Sequence, residues 1–418
     1  MNAPLLVSAR ALRWQVYAAT WMSYAGFYVT RKVFSVVKGP VKLALAVDDR
    51  GVAGLWTTYL VAYFVGQFFS AWLSRRVSNK TQVLVGMSVS VACNVAMGLL
   101  LDVGPSAYGA LAVVMAVHGV AQATGWPCNV GIMASWTTRA ERGRVMALWG
   151  TCYQLGAVGA KAFASFVFGA LVLLWSFWAA SAVLAVVVVA YALFARERPA
   201  VPFEDDPPPP PSSTSAPDPL ARRRLLLIYS MGVLYFAFKS MRYALDSWSP
   251  LILSEHFHLE TATAGYLSTA FDWVGFLGVI SAGFLSDRVF KGSRITVIAL
   301  MTFGCVVATG LLWSVGLSSV PAFVVLLGVV GFMDMGPDSL LSGAAAMDTG
   351  SARQAATAAG IINGCGSLGP ILQEPVIGWL KTEYGADAVL LLLVGMAVLA
   401  AAGVTLFWAR VRRLHIAL

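Results

Sequence analysis

The sequence predicts an all-α membrane protein of twelve transmembrane helices, arranged as two pseudo-symmetric six-helix bundles. Three observations predict it: a scarcity of charge, a succession of apolar stretches long enough to cross a bilayer, and an internal repeat. Only 12% of the 418 residues are charged and 58% are hydrophobic, whereas soluble domains carry roughly 25% charged residues. The mean hydropathy is +0.74. So few charges cannot cover a water-facing surface, which excludes a cytosolic enzyme, a disordered scaffold and a secreted disulfide domain. Cys93, Cys128, Cys152, Cys305 and Cys365 all lie in apolar stretches without CxxC spacing. They read as small core residues rather than a disulfide framework or a metal site.

About 20 apolar residues span a bilayer. Such spans lie near 13–36, 54–74, 82–101, 107–133, 145–167, 170–194, 224–246, 263–286, 295–315, 320–345, 354–380 and 386–409. No convincing small-residue cleavage site follows the first, so it is expected to stay as a helix. The segment 195–223 contains the run DDPPPPPSSTSAP from Asp205. Consecutive prolines forbid a helix and favour an extended chain. The expected organisation is therefore a bundle over 1–194, a Pro-rich cytoplasmic linker over 195–223 and a second bundle over 224–418.

The net charge of +9 suggests nucleic-acid binding only until the basic residues are placed. Twenty of the 29 Lys and Arg fall at the termini or in loops on one side, and five inside spans. Lys38, Lys42, Arg50 and Lys381 are the four expected in loops on the other side. That asymmetry places both termini in the cytoplasm. It leaves no basic face of the kind nucleic acid requires.

The repeat appears as landmarks at nearly constant offset. Arg31 matches Arg242 at 211, Arg76 matches Arg288 at 212, Leu155-Gly156 matches Leu368-Gly369 at 213, and Pro127 matches Pro337 at 210. Parallel six-helix repeats are the organisation of major facilitator transporters. The run from Gly283 to Arg288 resembles that superfamily's G-x-L-[SA]-D-R loop, whose acid–base cluster is thought to latch neighbouring helices. The corresponding first-half loop reads Ser74-Arg75-Arg76 and lacks the acid.

A charge at mid-bilayer costs about 2.5–3.5 kcal/mol on insertion scales, so it is kept mainly where it faces a cavity or a partner. The intramembrane cations are Arg31, Lys32, Lys161, Lys239 and Arg242, and the acids Asp246, Asp272, Asp334, Asp338 and Glu374. A structural reading pairs these off as ion pairs. For Arg31 and Arg242 the repeat favours another: matching positions should face each other across the midplane. Two guanidiniums without a committed acid form a dianion site with two-pronged donors. Tyr24, Tyr28 and Arg31 share one helical face, as do Tyr59, Tyr63 and Gln67. Hydroxyls aligned with a buried cation read as the wall of a polar cavity.

At these residues the chain resembles the organophosphate:phosphate antiporters, a family that includes the bacterial glycerol-3-phosphate and hexose-phosphate carriers and the microsomal glucose-6-phosphate carrier. FYVTRKVFS from Phe27 is similar to the family's Y-x-x-R-K-x-F-S, and QATGWPCN from Gln122 to its Q-G-x-G-W-P-P-C, with Cys128 replacing a proline. Glu141-Arg142-Gly143 with Trp149, RYALDSWSP from Arg242, Gly336-Pro337 and AATAAGIINGCGSLG from Ala355 extend the resemblance over about 20–385. It implies Arg31 and Arg242 as a phosphate clamp, with Tyr28, Lys32, Trp126 and Gln122 as cavity neighbours. Three departures stand out: Gln67 where the family usually has Lys, Tyr153 where glycerol-phosphate carriers have His, and Lys239 where a Tyr precedes the arginine. Phosphate binding reads as retained and the organic part of the substrate as altered.

There is no GxxxxGK[ST] loop and no HExxH, so neither ATP-driven pumping, a metal nor a cofactor is expected. Lone His118 reads as a packing residue. Lys161 and Lys239 either pair with Asp272, Asp334 or Asp338, or bring positive charge toward the substrate's organic end. The expectation is a monomeric carrier, most simply of a bacterial inner membrane, that exchanges a phosphorylated metabolite for inorganic phosphate by alternating access. The alternatives are a sugar-phosphate sensor with little flux and a proton-coupled exporter using Asp272, Asp334 or Asp338. Asp334 and Asp338, one turn apart, could share a proton. No nucleophile–base pair suggests an enzyme.

Overall fold

The computed structural model describes residues 3–137, 139–199, 219–290, 293–344 and 352–413, and no strand occurs among them. Fourteen α-helices are named here in chain order: α1 (Ala3–Val36), α2 (Lys38–Leu45), α3 (Asp49–Leu73), α4 (Asn79–Val103), α5 (Tyr108–Gln122), α6 (Gly125–Trp136), α7 (Arg139–Ala170), α8 (Leu173–Phe194), α9 (Pro219–His256), α10 (Thr261–Ser268), α11 (Ala270–Phe284), α12 (Arg294–Val315), α13 (Val320–Ser339) and α14 (Ala352–Arg413). Among the described residues, eight stretches are long and apolar enough to cross a membrane, one of them running through Ile361–Ala409. Large apolar side chains such as Trp14, Phe68, Val186 and Leu399 are exposed, as expected of a surface solvated by lipid.

Local chemistry sets the helix limits. Ser78 caps α4 by accepting from the Thr81 amide at 3.1 Å, satisfying a donor that the first turn leaves open. The predicted span 107–133 is divided into α5 and α6. Pro127 has no N–H to give the Ala123 carbonyl, so the ladder breaks there. α14 contains the last two predicted spans in one run and turns at Gly385, whose φ of 80° is open to glycine and strained for other residues. Of the linker 195–223, positions 200–218 lie outside the described residues, as do Lys291 and Gly292 of the latch-like loop.

The chain divides into two compact units: Met1–Val47 with Thr58–Ser213, and Asp48–Thr57 with Thr214–Leu418. The first has a core of α1, α4, α6, α7 and α8 side chains, including Phe27, Met87, Ile132 and Leu184. The second packs Phe238, Trp248, Phe271, Phe323 and Leu393. The repeat landmark Leu-Gly has a packing reason in each. A Cβ on Gly156 of α7 would come within 2.9 Å of Ala25 Cα on α1, and one on Gly369 of α14 would meet Ser240 and the Phe236 carbonyl on α9. Each unit thus brings one helix pair into contact too close for a side chain, as small residues permit in membranes.

The second unit includes ten residues that the sequence division assigned to the first half. Charge explains why. Lys381, expected in an outer loop, lies on α14 only 8% exposed. Its Nζ donates to Asp49 Oδ2 at 3.1 Å and also to Glu255. Arg50 pairs with Glu383, and Gly378 packs under Asp49 and Ala53. Lys38 and Lys42, also expected in a loop, lie on α2, and Lys38 is fully buried.

Two outcomes test this packing. Gly156→Ala should lower the thermal stability of the detergent-solubilised protein by about 1–3 kcal/mol through overpacking. Gly159→Ala, where nothing lies within 4 Å of an added Cβ, should raise stability through helix propensity. Separately, Lys381→Met should cost about 3–5 kcal/mol by leaving Asp49 buried without its cation. Adding Asp49→Asn should recover part of the loss in the same melting assay, and an equal loss in the double variant would remove the ion pair from the account.

Candidate substrate site

In the first unit α1 presents Arg31, 6% exposed. Its Nε and Nη2 donate to Gln122 Oε1 at 3.2 and 3.0 Å. The guanidinium carbon lies 4.8 Å from the Tyr28 ring centre and 5.0 Å from that of Tyr63, within cation–π range. Among the described residues no carboxylate forms an ion pair with Arg31. A buried cation is therefore held by one neutral oxygen and two aromatic faces.

The orientation of Gln122 is fixed from behind. Its Nε2 shares two hydrogens among three acceptors, the Phe27 carbonyl at 3.2 Å, Thr30 Oγ1 at 3.0 Å and the His118 ring. The same nitrogen is 3.0 Å from His118 Nε2, and Asn94 Nδ2 approaches that ring nitrogen at 3.3 Å. Two amide donors converge on one imidazole nitrogen, so Nε2 accepts and the proton sits on Nδ1. His118 is thus a neutral packing residue that turns the Gln122 oxygen toward Arg31.

Aromatic side chains surround the same stretch of α1. Tyr24 lies 5.6 Å from Tyr28 and 5.0 Å from Trp126, and Trp126 lies 6.3 Å from Tyr153, measured between ring centres. Lys32 Nζ is 5.5 Å from the Tyr28 ring. Tyr59 stacks on Tyr63 at 6.1 Å. Gln67, on α3, is half-buried, and Lys161, on α7, is fully buried.

The second unit has a different arrangement. Arg242 on α9 donates through Nη1 to Asp338 Oδ2 of α13 at 2.7 Å. This corrects the expectation of an arginine without a committed acid. Asp338 is four residues from Asp334, one turn along α13, which brings a carboxylate within reach of α9 in a way the repeat does not reveal. Lys239 donates to Asn363 Oδ1 and Ser367 Oγ of α14, both at 2.8 Å. Its Nζ lies 5.6 Å from the Tyr235 ring, and the Arg242 guanidinium lies 5.4 Å from that of Tyr243. Asp272 is buried on α11. Asn363 and Ser367 were not singled out from the sequence: they belong to a glycine-rich stretch whose glycines signal close packing, masking the polar face between them.

The Major Facilitator Superfamily model matches residues 19–372 and 231–416. The chain belongs to the Major Facilitator Superfamily. It is 26% identical to the Membrane sensor protein UhpC of Escherichia coli K12, over 90% of this chain and 89% of that protein. It is also 26% identical to the Glycerol-3-phosphate transporter of Haemophilus influenzae, over 94% and 90%, and to the Glucose-6-phosphate exchanger SLC37A2 of Danio rerio, over 93% and 90%. These relatives match the organophosphate:phosphate antiporter family that the first span resembles. Among solved structures, the inward-facing, unoccupied bacterial homologue of the human lysosomal transporter Spinster superposes with a TM-score of 0.72 at 17% identity, covering 95% of this chain and 97% of that one. The major facilitator protein is thus a multi-pass integral membrane transport protein and not an enzyme. Its described residues include no His/Cys/Asp/Glu group able to hold a metal.

Within the superfamily fold, the Arg31 network makes a direct prediction. Gln122→Leu should destabilise the solubilised protein by about 1.5–3 kcal/mol, because it removes the acceptor of a charged donor from a buried site. Thermal melting in detergent measures this; an unchanged midpoint would mean that Arg31 finds another acceptor.

Proposed function

We propose that the protein exchanges a phosphorylated metabolite, of the sugar phosphate, glycerol phosphate or phosphoglycerate type, for inorganic phosphate by alternating access. Arg31 carries the reading. A buried guanidinium that no described carboxylate pairs with supports an anion site, because an uncompensated buried charge is expensive. Its donors suit the paired oxygens of phosphate. Arg242 is the second guanidinium we propose for phosphate binding. Tyr24, Tyr28, Lys32, Gln67, Gln122, Trp126, Tyr153, Lys161, Lys239 and Asp272 are the proposed supporting residues. The names of the sugar-phosphate and glycerol-phosphate relatives support the substrate class.

Obligatory exchange follows from the same cost. An empty carrier would have to enclose Arg31 without a counter-charge in a dry site, whereas a bound anion neutralises it and permits reorientation. We place both termini in the cytoplasm of a bacterial inner membrane, on the asymmetry of Lys and Arg, and divide the chain into bundles over 1–194 and 224–418 around the linker 195–223.

Counterflow of labelled phosphate into proteoliposomes loaded with phosphate esters tests the reading directly. A sensor would bind the ester without counterflow. Arg31→Lys keeps the charge but loses the two-pronged geometry, so exchange should fall at least about tenfold, the equivalent of one charge-assisted hydrogen bond. A Lys variant with wild-type rate and affinity would remove Arg31 from the phosphate site.

A further inference from the structure

We propose that Asp338 is a built-in stand-in for substrate phosphate on Arg242, and that the Asp334–Asp338 pair binds a proton when phosphate displaces it. The inference rests on the exchange function proposed above and adds proton linkage to it. Two independent observations carry it. Asp338 Oδ2 occupies an Arg242 donor at 2.7 Å, in the manner of an anionic ligand oxygen. One turn earlier, Asp334 is fully buried, and neither of its carboxyl oxygens has a hydrogen-bond partner among the described residues. Asp338 Oδ1 has none either.

Two buried carboxylates beside one ion-paired arginine cannot both keep their charge without a large desolvation cost. Asp338 is the member held by a cation, so it carries the negative charge and Asp334 the proton. Besides Arg242, the groups that act on the pair are Lys239 and Tyr235 on α9, toward Asp338, and Cys305 on α12, toward Asp334. Of these only Lys239 is cationic, and it is engaged by Asn363 and Ser367.

When a phosphate oxygen takes the Arg242 Nη1 donor, Asp338 loses its ion pair and becomes a buried carboxylate facing an incoming anion. One proton from the entering aqueous phase then bonds to the freed carboxylate and gives a neutral acid. On phosphate release the O–H bond breaks, the proton returns to water, and Asp338 pairs with Arg242 again. Asp334 remains protonated throughout, so the pair alternates between one and two protons.

The test measures phosphate binding to the purified full-length protein between pH 6 and 8, for wild type and Asp338→Asn, with inorganic phosphate as the probe. Comparing the two variants at each pH cancels the ionisation of phosphate itself. The asparagine variant should bind phosphate more tightly than wild type, with the advantage growing by up to about tenfold per pH unit, the limit for one linked proton. A second measurement needs no variant: wild type mixed with phosphate in weak buffer should take up about one proton per phosphate bound, beyond that due to phosphate, at the upper end of the range. Parallel pH curves for the two proteins, weaker binding by Asp338→Asn, or no proton uptake by wild type would each overturn the proposal. Phosphate that binds wild type and shows one of these results leaves the exchange reading standing. No phosphate binding by wild type at any pH would overturn both.

Discussion

The interaction on which the rest of the structure depends is the burial of arginine inside helices that must also satisfy a bilayer. A guanidinium cannot be neutralised by losing its proton at any ordinary pH, so the fold must supply acceptors or leave room for an anion. Arg31 shows how little the protein itself supplies. Gln122 Oε1 receives two of its N–H groups and two tyrosine faces flank it, yet none of these groups has a full negative charge. The surrounding polar chain, from Asn94 through His118 to Gln122, accordingly serves to aim one neutral oxygen and withhold an acid.

That arrangement turns a stability liability into a binding element. Cation–π contacts and a neutral hydrogen bond hold the side chain in place but leave its charge only partly compensated, which keeps affinity for an anion. An ion pair there would stabilise the empty state and compete with ligand. The second bundle contains this competitor, since Arg242 is already paired with Asp338. On the proposed reading the two bundles differ in kind: one waits for an anion, while the other exchanges an internal anion for an external one.

What the sequence reveals follows from how local each cause is. Apolar stretches are legible because hydropathy is a property of contiguous residues, whereas the break between α5 and α6 is not legible from Pro127 alone, since Pro337 at the matching position lies inside α13. The Leu-Gly landmark is legible as a repeat, although its reason, the approach of α7 to Ala25 and of α14 to Ser240, appears only when the helices are packed. The ion pairs are not legible. Lys381 and Asp49 are 332 residues apart and Arg242 and Asp338 are 96 apart, and nothing in either local sequence names the partner. Lys38 and Lys381 were assigned to loops because a lysine between apolar spans ordinarily faces water; neighbouring helices enclose both instead. His118 reads as a lone histidine, and its role depends on two amides brought to it from α4 and α5.

The two halves conserve their geometry more closely than their chemistry, and the reason is physical. A glycine at a helix crossing is constrained by backbone atoms on both sides, so Gly156 and Gly369 recur in register. A side chain that holds an arginine needs only to reach it from a suitable helix. Gln122 reaches Arg31 from the turn before Pro127, and Asp338 reaches Arg242 from the position just after Pro337, although the two prolines correspond in the repeat. The fourth helix of each half therefore supplies the arginine's partner from opposite sides of the same landmark. This freedom lets one half carry an amide and the other a carboxylate without disturbing the packing beneath them, and it makes the arginine partner, rather than the arginine, the position where the two bundles acquire different roles.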